Sequence, residues 1–100
     1  MYGLIGNFVT KPGERDALLA ILVEGTAEMP GCRSYIVATD PADADVIWIT
    51  EVWDDKAAHE ASLSLPAVNA AIAKAMPLIA RFGKSTVTTP VGGVGIGKPR

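Results

Sequence analysis

Four consecutive apolar residues, Val46-Ile47-Trp48-Ile49, lie inside a segment, 45–53, whose β-branched and aromatic content predicts a strand. Side chains alternate between the two faces of a strand. Val46 and Trp48 therefore point one way, and Ile47 and Ile49 the other. An antiparallel sheet with one wet face shows apolar–polar alternation instead, so this strand needs cover on both sides. Helices can supply one cover. At 100 residues the chain has room for one domain, and the economical second cover is another copy of the same sheet. The same demand accounts for a hydrophobic content of 49% and a mean hydropathy of +0.27, both high for a small domain.

The flanking segments set the topology. Residues 2–10 carry Tyr2, Leu4, Ile5, Phe8 and Val9 in a β-friendly pattern, and Lys11-Pro12-Gly13 ends it. Residues 14–29 read as a helix with Leu18, Leu22 and Met29 on one face, Gly25 as its weak point and Pro30-Gly31 as its end. Residues 32–39 form a second predicted strand. The turn-forming Asp40-Pro41-Ala42-Asp43 joins it to the third, which favours an antiparallel hairpin.

Asp54 is a suitable N-cap for a short helix over 55–63. Pro66 then fits the first turn of another helix, whose stripe is Leu65, Val68, Ile72, Met76 and Ile79, interrupted by Pro77. Residues 83–89 are β-branched and predict a final strand. The order is β-α-β-β-α-β with a split second helix. That predicts an α+β, ferredoxin-like antiparallel sheet with helices on one face, as a domain over 1–89. The Gly- and Pro-rich 90–100 is expected to be a flexible tail or an arm laid on a partner.

Charge and composition exclude several functions. Nine basic and eleven acidic residues give a net charge of −2 with no basic run, so no nucleic-acid partner is expected. No apolar stretch approaches the roughly 20 residues of a membrane span, and no signal-peptide pattern opens the sequence. With a single cysteine, Cys32, the expected setting is the reducing cytoplasm. One histidine, one cysteine and scattered carboxylates make no metal-ligand spacing, and neither a flavin nor a nicotinamide motif is present. Gly92–Lys98 copies the spacing of a phosphate loop, but Pro99 stands where a hydroxyl residue is needed.

Several segments, in order and on the expected elements, resemble the antibiotic biosynthesis monooxygenase family. They are Lys11-Pro12-Gly13 after the first strand, Pro30-Gly31-Cys32-Arg33-Ser34-Tyr35 opening the second, and Glu51-Val52-Trp53 ending the third. A helix carrying His59 and reaching Pro66 follows. The resemblance covers about 80 positions. It implies a dimeric α/β barrel, a homodimer packed sheet to sheet, and oxygenation of a small aromatic substrate without a cofactor. Ser62 and Ala67 stand where many relatives have histidines. Haem-degrading relatives use a strand-one asparagine, which Asn7 matches, but their helix histidine and tryptophan are absent here, with Ser62 and Ile72 about where they belong.

His59 is the candidate general base, or else a partly exposed helix histidine. Asn7 either holds a substrate oxygen or dioxygen, or satisfies a backbone group or the dimer seam. Tyr35 either donates to a bound quinol or bonds a carbonyl at the sheet edge. Trp53 is an aromatic wall or, more ordinarily, core. Met76, with Met29, is a cavity wall or a gap-filler. Glu51 shares the face of Trp53 and needs a partner, with Arg33 or Arg81 as the expected one.

The leading expectation is a cofactor-independent monooxygenase of a quinol or anthrone. A non-catalytic binding module, an isomerase of a small carbonyl compound and a purely structural oligomer are the alternatives.

Overall fold

The computed structural model describes residues 1–97; the Lys98 and Pro99 of the phosphate-loop-like spacing, and the end of the 90–100 segment, lie outside them. Strand β1 (Tyr2–Thr10) is followed by helix α1 (Arg15–Gly25), strands β2 (Cys32–Thr39) and β3 (Val46–Trp53), helices α2 (Lys56–Ser62) and α3 (Pro66–Ala75), a 3-10 turn (Met76–Leu78) and strand β4 (Ile79–Thr88). The sheet has the order β2-β3-β1-β4, and every neighbouring pair is antiparallel. This is the expected ferredoxin-like α+β architecture.

Cross-strand register fixes the two faces. Phe8 pairs with Ile47, Gly6 with Ile49, Leu4 with Glu51 and Tyr2 with Trp53, and opposed residues share a face. On this face Phe8 and Ile47 join Leu18 of α1 and Ala75 of α3 in the core, and Leu18, Ile47 and Trp53 are fully buried. On the other face lie Ile5, Val9, Val46, Trp48 and Ile36. Among the described residues no element covers them, and Ile5, Ile36 and Trp48 remain 40%, 56% and 38% exposed.

Two boundaries differ by several residues from expectation, the end of α1 and the start of β4. Helix α1 stops at Gly25, and Thr26 closes it by donating its hydroxyl to the Leu22 carbonyl at 2.6 Å. Gly25 itself is where α1 crosses α3, since a Cβ there would collide with Ala71. Pro77 ends α3 at Ala75 and forces the 3-10 turn. As a result β4 begins at Ile79, four residues earlier than composition suggested, and includes Phe82.

The N-cap of α2 is Asp55, whose carboxylate accepts from the Ala58 amide at 2.8 Å. Asp54, the expected cap, instead accepts from Arg33 Nε at 2.6 Å. Arg33 Nη1 also donates to the Ile96 carbonyl at 2.9 Å, so the C-terminal segment is tied to its own chain there. No helix among the described residues is long and apolar enough to cross a membrane.

Candidate functional site

Between the inner face of the sheet and the three helices lies a cavity of about 320 Å³. That is the lower end of the range of small-molecule sites and suits a few fused rings. Sheet residues Tyr35, Glu51 and Trp53 make its floor, α2 brings His59 and Ser62 over one end, and Val68, Ala71 and Ala75 of α3 form a wall. Leu22, Thr26 and Met29 close the side nearest α1. Leu63, Ile72, Met76 and Phe82 line the cavity while remaining 43–63% exposed, which identifies them with its mouth.

The polar groups cluster at one end. The indole Nε1–H of Trp53 donates to Glu51 Oε1 at 3.0 Å. The same carboxylate oxygen stands 3.9 Å from His59 Nε2, an ion-pair distance once the ring is protonated. The His59 ring packs edge-on against Trp53 at 5.4 Å and lies 5.6 Å from the ring of Tyr2. Two residues apart on one strand, Glu51 and Trp53 share a face, so the indole reaches its acceptor without leaving the core.

Burial pushes the Glu51 carboxyl above its ordinary range, with the Trp53 hydrogen bond and the nearby His59 opposing the rise. Burial likewise pushes the Tyr35 hydroxyl well above its usual value, helped by the Glu51 and Cys32 charges. Tyr35 is thus a neutral donor at physiological pH. Burial also raises the Cys32 thiol, which donates to the Ser34 carbonyl at 3.5 Å. This is the setting of an inert thiol rather than a nucleophile.

His59, Tyr35, Trp53 and Met76 come together around this cavity. Asn7 does not. It pairs with Trp48 on the opposite face of the sheet, and its side chain fills the space over Gly83 that a Cβ there would need. Residue parity explains this: Asn7 precedes Phe8, and Phe8 is in the core.

Glu51 departs from its expected partners. Arg33 is turned to Asp54, and Arg81 pairs with Val9 on the outer face, so the carboxylate meets Trp53 and His59 instead. Phe82 escaped notice because the final strand was expected to begin beyond it. Ser62 is buried and donates to the carbonyl of His59 at 2.6 Å, steadying the last turn of α2. Among the described residues no three His, Cys, Asp or Glu side chains come together as a metal site would require.

Residues 1–74 match the sequence pattern of the antibiotic biosynthesis monooxygenase family. A crystal structure from Chloroflexus aurantiacus J-10-fl, of a protein named for that family, is 62% identical with a TM-score of 0.94; the match covers 96% of this chain and 98% of that one. Another, from Deinococcus radiodurans and named likewise, is 26% identical with a TM-score of 0.74, over 96% and 98% of the two chains. Rv0793 from Mycobacterium tuberculosis shares the fold at 24% identity and a TM-score of 0.77, over 93% of this chain and 97% of that one. No curated protein sequence matches significantly.

Proposed function

We propose a function for a chain that belongs to the antibiotic biosynthesis monooxygenase family: it oxidises an electron-rich aromatic, a quinol or an anthrone, with dioxygen and without a cofactor. The observation that carries this reading is the apolar cavity whose ionisable groups, His59 and Glu51, stand together at one end. In this reading a flat aromatic ring occupies the apolar cavity, entering past Ile72, Met76 and Phe82. His59 takes a proton from the acidic O–H or methylene of the substrate, and the imidazolium so formed lies beside the Glu51 carboxylate.

The resulting anion passes one electron to dioxygen, and the two radicals combine into a peroxide at carbon. At an anthrone methylene, loss of water then leaves a carbonyl. One oxygen atom ends in the product and the other in water. The apolar walls keep bulk water from the anion. Tyr35 is the oxyanion donor of this scheme, and Met76 shapes the mouth. Asn7 has no part in the cavity chemistry.

The working unit in this reading is a homodimer joined through the outer sheet face, where Ile5, Ile36 and Trp48 are exposed. Its setting is the cytoplasm, in keeping with a lone free cysteine.

Oxygen uptake by metal-stripped protein with a panel of quinols and an anthrone tests the proposal. Uptake should survive chelation and fall by about 10²-fold or more in His59→Ala, the usual contribution of a general base. Uptake no faster than the spontaneous rate across the panel would sink the oxygenase reading. It would favour the binding module, to which one feature already points: the Ser62 hydroxyl, at the position of a family histidine, is committed to a backbone carbonyl.

A further inference from the structure

We infer that Glu51 makes the cavity selective for ligands that donate a hydrogen bond, so that it holds the reduced, hydroxyl-bearing aromatic and rejects the oxidised carbonyl form or an O-alkylated analogue. The inference rests on the reading of this cavity as the substrate site, but not on oxygen chemistry.

The carboxylate lies on the inner face of β3, in the strand that also carries the buried Ile47 and Trp53. Its side chain is only 16% exposed. Among the described residues it accepts one hydrogen bond, from the Trp53 indole to Oε1. A carboxylate has room for about four, and at 3.9 Å His59 Nε2 is beyond hydrogen-bond reach of that oxygen. Glu51 therefore enters the cavity as an under-used acceptor that cannot donate while ionised.

A ligand hydroxyl placed against it completes the set. A ring that presents only carbonyl or ether oxygens displaces water from the carboxylate and returns nothing, which leaves a desolvated charge. Sites built around such a group discriminate strongly against analogues lacking the matching hydrogen. The other polar groups facing this end favour neither form: neutral His59 offers one donor and one acceptor, and the Tyr35 hydroxyl can serve either form, which leaves Glu51 as the discriminating group. Oxidation of a quinol erases its donors, so the product is held more weakly than the substrate at the same place.

Matched naphthalenes separate hydrogen bonding from ring size and from oxidation. Dissociation constants of 1-naphthol, 1-methoxynaphthalene and 1,4-naphthoquinone are measured by calorimetry near neutral pH for the wild type, Glu51→Gln and Glu51→Met. Circular dichroism verifies the fold of each variant.

The wild type is expected to favour naphthol over the other two by about tenfold or more, the worth of a hydrogen bond to a charged group. Glu51→Gln, which keeps a neutral acceptor, should shrink the ratio to a few-fold, and Glu51→Met should abolish it. Equal affinities in the wild type, or a preference that persists in Glu51→Met, overturns the inference. If none of the three probes binds, the inference falls together with the cavity reading. Selective binding in a protein that takes up no oxygen upholds the inference and sinks only the oxygenase.

Discussion

Glu51 holds its carboxylate on the apolar side of the sheet, and the cost should appear as a pH dependence of stability. Its pKa in the folded protein is raised, chiefly by burial, so between its ordinary value and the raised one the native state binds more protons than the unfolded chain. Stability therefore falls as pH rises through that window. Glu51→Gln removes the titration: urea unfolding across the window should show a flatter profile and, at neutral pH, a variant at least as stable as the wild type. Trp53→Phe removes the indole donor that opposes the rise. The Glu51 carboxyl, followed by ¹³C NMR, should then titrate at a still higher pH, and an unchanged or lower value would show that the indole does not hold the charge.

Helix α2 is the element on which the site depends. Its seven residues are too few to form a helix in isolation, so His59 keeps its place only while the cap and the packing hold. Asp55→Ala removes the bond to the Ala58 amide and should cost about 1 kcal/mol, read from denaturant unfolding. Helices α1 and α3 approach closely only because residue 25 has no side chain. Gly25→Ala gains helix propensity of roughly 1 kcal/mol and loses about 1–3 kcal/mol to overpacking against Ala71, a net loss of about 1 kcal/mol. A stabilised variant would mean that α3 can shift away at no cost. Gly31 has a parallel role at the start of β2, where φ is +80° and a Cβ would lie 2.6 Å from that of Ala58 in α2.

At the scale of the whole molecule, the described residues leave one face of the sheet uncovered. Ile5 and Trp48 on the two central strands and Ile36 on the edge strand β2 share this outer face. Trp48 is oriented by its indole, which donates to Asp40 at 2.9 Å and holds that carboxyl below its usual range. A homodimer through this face should scatter light as twice the 10.4 kDa chain at micromolar concentration. Ile5→Glu combined with Ile36→Glu should give the single-chain mass with the circular dichroism retained. A wild type that is itself monomeric at that concentration would leave the outer face without its proposed cover.

Local chemistry carried most of the fold into the sequence. β-Branched and aromatic content bounded by turn residues located β1, β2 and β3, Pro66 marked the start of α3, and the apolar run at Val46–Ile49 announced a strand that is buried on one side and apolar on the other. The same parity places Glu51 and Trp53 on one face, and it separates Asn7 from Phe8, because alternation along a strand is a property of the backbone. Partner choice was different. Whether Glu51 meets an arginine or a histidine depends on how β2, β3 and α2 pack, and Arg33 pairs with Asp54 beside the close approach of Gly31 to α2. The start of β4 likewise rested on Pro77 ending α3 early, which let Phe82 reach the cavity mouth. A strand's two faces follow from the order of its residues, whereas the neighbour across a cavity follows from long-range packing, and only the tertiary structure decides that.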